Sequence, residues 1–526
     1  MWTGRFWVSV PVYLVRNSPM THAETELKLL LPGAQPADIE ARLRQLGVLS
    51  RRRTSTQWLW NVYHDTPDQA LRQQRQALRM RCVSDRPWKS TATATTLRGS
   101  WIQTFKSAGV SQGGLSRRGE WESHERTGRL NPQALRATPW ADLDPDGQLF
   151  ATLQPCFETR CRRTVWTLHR YQGATIEVAL DVGEINAGGR SEPILELELE
   201  LQSGDPEALF TLARAVASAQ AVLPCDVSKA ERGYRLAQGV LHPAALAVPL
   251  PLPAEATPLE AASQALAATY DQFTRNLSSL LASDAPEVVH QARVAWRRWR
   301  SAVHLFSPWL PHPPGSDGLR PLLDALGPLR DLDVLRTDTL GRWLPAFVDA
   351  DESRQHIADR AIARIDQART AQRERVRAVL ALPATGQALL GLAHDLARLN
   401  AQAAAVPAGP PAPWAAARIR KLAKRLEVAL KASRKPKADP ERVHRTRILA
   451  KRTRYAVEIL RDLLPARRAK TLIQAATAVQ TRLGDDRDLQ QAVRLLGELQ
   501  VDPVLVGFMR GVLANDARSA ARRQSA

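Results

Sequence analysis

Glu24-Thr-Glu26-Leu-Lys28, near the start of the chain, and Leu195-Glu-Leu-Glu-Leu-Glu-Leu201, far along it, decide how the first half is read. Side chains alternate along an extended strand, so Glu24, Glu26 and Lys28 share one face and Leu27 and Leu29 the other. Glu196, Glu198 and Glu200 likewise stand opposite a row of leucines. The ordinary meaning of such a strand is leucine toward a core and glutamate toward water. Like charges at i, i+2 and i+4 repel, however, and Glu is a poor strand former. Basic residues recur elsewhere in this half. Arg79 and Arg81 share a face in Leu78-Arg-Met-Arg-Cys82, as Thr104 and Lys106 do in Gln103-Thr-Phe-Lys106. Arg118-Gly-Glu120-Trp-Glu122 repeats the alternating charge, and Arg163 and Lys229 complete the set. A closed barrel lined by these groups is a tunnel for a polyanion. Carboxylates on one side suit a hard divalent cation through oxygen ligands. Arg and Lys on the remaining wall neutralise phosphate oxygens, Arg often bidentately.

The chain has 526 residues, enough for more than one domain. Lys and Arg number 73 against 53 Asp and Glu, a net charge of +20. A hydrophobic content of 44% excludes a disordered chain, and the apolar stretches are too interrupted for a membrane protein. Trp2 to Val15 contains Arg5, is too short to span a bilayer, and lacks a basic leader and a small-residue cleavage site. Residues 1–21 therefore read as an extension, with Met20 the expected start of the ordered chain. Cys82, Cys156, Cys161 and Cys225 have no CxxC spacing and are too few for a disulfide framework. These features predict a soluble, cytoplasmic protein with an anionic partner and no membrane association.

Residues 1–240 hold 30 basic and 25 acidic side chains, and residues 241–526 hold 43 and 28, so the second half carries most of the excess. Between them, Pro243, Pro249, Pro251, Pro253 and Pro258 mark a stiff linker over 241–258. Before it, Glu24 to Leu30, Trp101 to Lys106, Thr175 to Asp181 and Leu195 to Leu201 follow a period of two. After it, Ala361 to Leu382 and Ala415 to Ala432 follow helical spacing. The expected class is α+β: a β-rich domain over 22–240, a helical domain over 259–515, and a frayed tail over 516–526. Val406-Pro-Ala-Gly-Pro-Pro-Ala-Pro413 divides the helical domain near 406–413.

The helical half repeats itself. His290-x₂-Arg293-x₃-Arg297-Arg298-x-Arg300 recurs as His444-x₂-Arg447-x₃-Lys451-Arg452-x-Arg454, and Leu326-Gly327-x₂-Arg330-Asp331 as Leu483-Gly484-x₂-Arg487-Asp488. On a helix, His290, Arg293, Arg297, Arg300 and His304 fall within an arc of roughly 80°. His444, Arg447, Lys451 and Arg454 form the same stripe. A solvated charged face is the usual meaning of such a run. Few acidic residues stand at i±4, Glu458 being an exception, and unpaired like charges on one face favour an anion partner. A histidine at the end of each stripe can donate to a phosphate oxygen, more strongly when protonated. A metal site at His290 or His444 is disfavoured, because no carboxylate or Cys follows at ligand spacing. Lys421, Lys424 and Arg425 are further candidate contacts, whereas Arg330-Asp331 and Arg487-Asp488 read as structural ion pairs. Nucleic acid is expected to bind only nonspecifically, since RNA-binding motifs and stacking aromatics are lacking.

Glu24-x-Glu26-x-Lys28 resembles the opening motif of the CYTH, or triphosphate tunnel metalloenzyme, superfamily. Further segments match in order: Tyr63-His-Asp65-Thr-Pro67 with Leu71, Leu78-Arg-Met-Arg81, Thr104-Phe-Lys106, Arg118-x-Glu120-x-Glu122, Val178-Ala-Leu-Asp181-Val-Gly183-Glu184, Glu192 to Glu200, and Ser228-Lys229 to Gly233-Tyr234. The resemblance implies an eight-stranded antiparallel tunnel that hydrolyses a triphosphate with Mg²⁺ or Mn²⁺. By matching position Glu24, Glu26, Glu196, Glu198 and Glu200 would hold metal, with Glu24, Glu26 and Lys28 at the catalytic centre. Lys28, Arg79, Arg81, Lys106, Arg118, Arg163 and Lys229 would bind phosphate. Asp181 matches a commonly acidic position of open role. Cys161 stands where the family often has Lys, with Arg160 or Arg162 as substitute charge. His22, His64, His124 and His169 take structural or surface roles, because hard Mg²⁺ favours oxygen. No GxxxxGK[ST] loop is present.

The second half resembles a CHAD domain over about 257–515, implying two four-helix units whose basic surface binds inorganic polyphosphate. Domain order and local segments resemble the bacterial inorganic triphosphatase branch. The expected function is hydrolysis of tripolyphosphate, with association to polyphosphate granules. A triphosphatase acting on thiamine triphosphate or a nucleotide, and a non-enzymatic polyphosphate-binding or targeting protein, are the alternatives.

Overall fold

The computed structural model of the chain describes residues 23–89, 97–310, 312–407, 413–433, 440–482 and 485–525. The expected strands are present as β1 (Ala23–Leu30), β2 (Thr54–Asp65), β3 (Ala77–Ser84), β4 (Ser100–Lys106), β5 (Leu115–Glu125), β6 (Gln154–Tyr171), β7 (Ala174–Ala187) and β8 (Arg190–Ser203). Their order is β1-β8-β7-β6-β2-β3-β4-β5, every neighbour is antiparallel, and β5 pairs back onto β1. This closes an eight-stranded barrel and leaves none of the eight as a free edge. The register sets Glu26 opposite Glu200, Lys28 opposite Glu198, Glu24 opposite Arg118 and Arg163 opposite Asp181.

The barrel is apolar outside and charged inside. Leu27, Leu29, Val178, Leu180, Leu197 and Leu199 point outward and are fully buried. They join one continuous core with α2 (Glu207–Ala217) and with helices of the second domain, including Tyr270, Leu389 and Ala393. A short helix, α1 (Ile39–Gln45), adds Ile39 and Leu43 to that core. Ser228 caps α3 (Lys229–Ala237) by accepting from Glu231 N–H at 3.1 Å, and this helix start aims Lys229 into the barrel.

The second domain contains α4 (Pro258–Leu280), α5 (Pro286–Phe306), α6 (Arg320–Val334), α7 (Leu340–Val348), α8 (Glu352–Leu380) and α9 (Pro383–Ala404). It continues with α10 (Pro413–Ser433), α11 (Pro440–Ile459), α12 (Ala466–Arg482), α13 (Asp485–Glu498) and α14 (Pro503–Ser525). Proline at the first helical turn opens α4, α5 and α9, where its missing N–H has no intrahelical partner to lose. On α5, Val289, Ala292, Trp296 and Trp299 form the buried face at helical spacing. The repeat maps α4 to α10 and α5 to α11. The two related helical units interlock. One core joins Leu335, Leu340 and Ile365 of the first half to Leu489, Leu496 and Leu505 of the second. Helix α9 follows the four-helix pattern of the first half and packs against both α4 and α2.

The Pro-rich segment is not a free spacer. Ala245 exchanges two hydrogen bonds with Asn276 of α4, at 3.0 and 2.9 Å, and Ser279 donates to Pro243 O at 2.9 Å. Leu252 and Ala256 are buried beside it. The expected fraying from 516 differs too, since the backbone of α14 stays helical to Ser525. Residues 1–22, including Met20 and His22, and Leu483-Gly484, for which expectations are given above, lie outside the described residues, as do the side chains of His444 and Arg487. Among the described residues no single helix is long and apolar enough to cross a membrane. All four cysteines are free.

Two predictions follow from this packing. A Cβ on Gly233 of α3 would lie 2.2 Å from the Phe157 ring, which stacks on Tyr63 at 4.6 Å and meets Tyr234 at 4.9 Å. Gly233→Ala is expected to destabilise the chain by about 1–3 kcal/mol through overpacking; an unchanged urea midpoint would refute this. His64 stands on the outer side of β2, and burial lowers it from 6.5 to about 4. Its folded pKa is thus below the unfolded value, so its stabilisation is complete above pH 6.5 and is lost as pH falls toward 4. Between those limits His64→Gln should remove on the order of 2 kcal/mol of the wild-type pH dependence, allowing for partial exposure. Urea titrations of both proteins at a series of pH values measure the difference.

Candidate functional site

The barrel encloses a cavity of about 1050 Å³. Strict alternation determines what faces it. Glu24, Glu26 and Lys28 enter from β1, Glu198 and Glu200 from β8, Glu177 and Asp181 from β7, and Arg163 from β6. Arg79 and Arg81 enter from β3, Lys106 from β4, Arg118 and Glu120 from β5, and Lys229 from the start of α3. All seven phosphate-binding candidates therefore line one space.

Their charges are cross-paired between strands. Arg163 grips Asp181 bidentately, both contacts at 2.7 Å, and reaches Glu198 at 2.6 Å. Lys229 Nζ lies 2.7 Å from Asp181 and 2.9 Å from Glu198, and also contacts Glu196. On the opposite wall Lys106 bridges Glu24 and Glu120, each at 2.9 Å, while Arg118 reaches Glu24 and Glu26 at 3.0 Å. Arg79 meets Glu120 at 3.3 Å, and Arg81 donates to Asn61 Oδ1 at 2.8 Å. Burial alone would raise Glu198, but Lys229, Arg163 and Lys28 hold it well below the carboxylate range. Burial would likewise raise Glu24, yet Lys106 and Arg118 outweigh it. Burial, then Arg79 and Arg163, lowers the Arg81 guanidinium to about 10, a sign of excess positive charge at that wall.

The acidic residues fall into two groups with different prospects for a metal. Ligand oxygens of Asp181, Glu196 and Glu198 lie within 4.8 Å of one another. Lys229 Nζ contacts all three, so an ammonium already fills the position a cation would take. Glu196 is fully buried, also holds Arg232 at 3.3 Å, and is absent from the cavity lining. Glu24, Glu26, Glu198 and Glu200 instead project into the cavity from the adjoining β1 and β8. Burial, then Glu24, Glu177 and Glu120, pushes Glu200 up to about 7. A cation among these oxygens would favour the charged form against both burial and the neighbouring carboxylates, and an oxygen-only donor set suits a hard divalent metal.

One expectation needs correction. Arg160 and Arg162 do not replace the charge missing at Cys161. Alternation turns both outward: Arg160 sits 3.7 Å over the Trp60 ring and pairs with Glu158 at 2.6 Å, and Arg162 binds Glu40. Cys161 itself lines the cavity, and burial followed by the Asp181 charge pushes its thiol up to about 12. Of the described histidines considered above, His124 and His169 are both exposed, His124 where it lines the cavity. Tyr63 and Glu177 were missed. Glu177 has the inward parity of Asp181, four positions on, whereas Tyr63 stood in a matched segment with no role attached. Burial would raise the Tyr63 phenol, but Arg79, Arg81 and Lys106 lower it.

On the helical domain, α5 and α11 pack against each other, and Glu458 ties them by taking Arg298 at 3.3 Å and Arg454 at 3.0 Å. Arg454 also lies 4.6 Å over the Tyr455 ring. The Nε atoms of Arg293, Arg297, Arg298, Arg447 and Arg454 are all buried without a hydrogen-bond partner, Arg298 and Arg454 reaching Glu458 only through a terminal nitrogen. Arg300 is exposed and Lys451 half-buried. Burial, then Arg330, lowers His290; burial, then Arg452, Arg418 and Arg425, lowers His304. Arg330 pairs with Asp338 at 3.6 Å, and Asp331 accepts from Gln491 of the second half at 3.0 Å. The adjacent Arg330 and Asp331 thus reach different partners.

Residues 22–234 match the CYTH domain family and residues 264–497 the CHAD domain family. An inorganic triphosphatase of Haemophilus influenzae is 32% identical over 215 residues, covering 40% of this chain and 54% of that protein. The chain thus spans about half the length of this curated relative. The CHAD domain of Ricinus communis is 32% identical over 52% of this chain and 91% of its own, with a TM-score of 0.44. A Hippeastrum adenylyl cyclase candidate with a dominant triphosphatase activity is 18% identical over 40% of this chain and 94% of its own, with a TM-score of 0.27. The chain therefore carries a CYTH domain followed by a CHAD domain.

Proposed function

We propose that the tunnel hydrolyses inorganic triphosphate to pyrophosphate and phosphate, and that the helical domain binds inorganic polyphosphate. The observation that carries the first part is the barrel cavity, where Lys28, Arg79, Arg81, Lys106, Arg118, Arg163 and Lys229 share one space with Glu24, Glu26, Glu198 and Glu200. The family match and the relative named inorganic triphosphatase support it. Lys28, Arg79, Arg81, Lys106, Arg118, Arg163 and Lys229 bind the phosphate oxygens and hold the chain in line for displacement by water. Their charge stabilises what develops on the leaving pyrophosphate, more strongly in an enclosed site than in water. Glu24, Glu26, Glu198 and Glu200 would hold Mg²⁺ or Mn²⁺, which supplies Lewis acidity and charge neutralisation at the phosphate oxygens. Glu196 serves this set from behind by anchoring Lys28, Lys229 and Arg232.

Support for polyphosphate binding comes from Arg293, Arg297 and Arg447, since a buried guanidinium N–H without an acceptor is costly and a phosphate oxygen satisfies it. Arg300, Lys451, Arg454, His290 and His444 complete the proposed contacts along the two stripes.

Phosphate release from tripolyphosphate, beside ATP and thiamine triphosphate, with Mg²⁺, Mn²⁺ or EDTA, tests the activity. Metal-dependent release from tripolyphosphate alone is expected; no release by folded protein would leave a polyphosphate-binding scaffold. Glu26→Gln should lower hydrolysis by at least about a hundredfold, the scale of one lost electrostatic stabiliser in a closed site, while retaining polyphosphate binding. Arg293→Glu with Arg447→Glu should do the reverse. Loss of both properties in both folded variants would refute this division of labour.

A further inference from the structure

The tunnel wall is not built by the first domain alone. Arg275, on α4 of the helical domain, lines the same cavity as Lys28, Arg118 and Lys229. The turn before β5 presses against that domain. Gly113 has φ +65°, and a Cβ there would lie 2.8 Å from Ala393 Cβ and 3.3 Å from Tyr270 Cε1, so only glycine seats the turn this closely. Asp226 fixes the turn from the tunnel side, accepting from the Ser111 hydroxyl and from Gly114 N–H at 3.0 Å. On the outside, Glu207 of α2 contacts His394 of α9, whose ring stacks on Phe210 at 5.0 Å. Helix α4 is thereby held at the cavity by contacts that do not involve Arg275.

Arg275 Nε lies 2.7 Å from Asp271 Oδ1, one turn earlier on the same helix, and its side chain keeps 30% of its exposure. Asp226 Oδ2 is buried with no hydrogen-bond partner. Burial, then Asp271, pushes Asp226 up to about 6, with Arg275 pulling it back, so the three groups share one electrostatic neighbourhood. Without the guanidinium, two carboxylates would stand at this end of an anion-binding cavity.

The geometry points to Arg275 as a further phosphate-chain ligand of the tunnel, contributed by the helical domain and held in reserve by Asp271. This rests on the reading that the tunnel binds a phosphate chain. A guanidinium with a carboxylate neighbour on its own helix can turn to a phosphate oxygen and keep the pairing in part. Removal of Asp271 and removal of Arg275 both break the same ion pair, but they change the charge facing an anion in opposite directions. A structural role and a ligand role are separated by that difference in sign.

The test is calorimetric titration of the full chain with tripolyphosphate in EDTA, where binding is read without turnover. Arg275→Gln is expected to raise Kd about tenfold, the worth of one charge-assisted hydrogen bond. Asp271→Asn should leave Kd unchanged or lower it, and Arg275→Lys should fall between wild type and Arg275→Gln. Equal weakening by Arg275→Gln and Asp271→Asn, or an unchanged Kd for Arg275→Gln, would overturn the inference while the tunnel reading stands. A wild-type chain that does not bind tripolyphosphate would overturn both. If Arg275→Gln does not fold, Arg275→Lys beside Asp271→Asn still decides, because weakening by Lys with none by Asn supports the ligand role and equal weakening refutes it.

Discussion

A barrel with its polarity reversed imposes the rest of the architecture. Each strand must alternate, so placing Glu, Arg and Lys in the lumen forces Leu27, Leu29, Leu197 and Leu199 to the outside. Covering such a side chain is worth about 1.5–3 kcal/mol, and leaving the row exposed would create an aggregation surface. Helices α2, α4 and α9 supply the cover, which is why barrel and helical domain share one core. The chain between them is accordingly pinned to α4 rather than left to swing.

The same constraint governs the lumen. Buried charges are tolerated only when paired, and among the barrel's own lumen charges the pairings cross between strands or to α3. Under the proposed function this network ties substrate to metal. A phosphate chain that draws Lys106 and Arg118 toward its own oxygens leaves Glu24 and Glu26 with less compensation. A divalent cation at those carboxylates restores the balance. At the same wall, burial and then the neighbouring carboxylates raise Glu200.

Much of this was legible because parity in a strand is strict. The alternating segments fixed which face each charge takes, and the ordered motifs fixed the closed barrel. Register was not legible, and it is register with the capping helix that separates Glu196, behind Lys229, from Glu200, which faces the cavity. Parity also contained the answer for Arg160 and Arg162, which alternate out of phase with Arg163, so that nearness to Cys161 in sequence does not bring either charge into the lumen. Arg275 had no local signal. It reaches the tunnel because α4 packs on the barrel, a long-range contact that periodicity does not encode. The interlocking of the helical halves was hidden for the same reason.

The stripes on α5 and α11 show how far a sequence pattern can be narrowed by packing. On helical spacing alone their basic members are equivalent. In the folded domain Glu458 neutralises Arg298 and Arg454, and the Tyr455 ring occupies the latter's face. All five keep a buried Nε donor without an acceptor, but Arg293, Arg297 and Arg447 do not share the Glu458 pairing that partly offsets the charge of Arg298 and Arg454. Burial together with neighbouring cations also holds His290 and His304 toward the neutral form, where an imidazole donates only from the nitrogen that carries its proton. The arginines, rather than the histidines that frame them, therefore carry the stronger demand for an anion on this face.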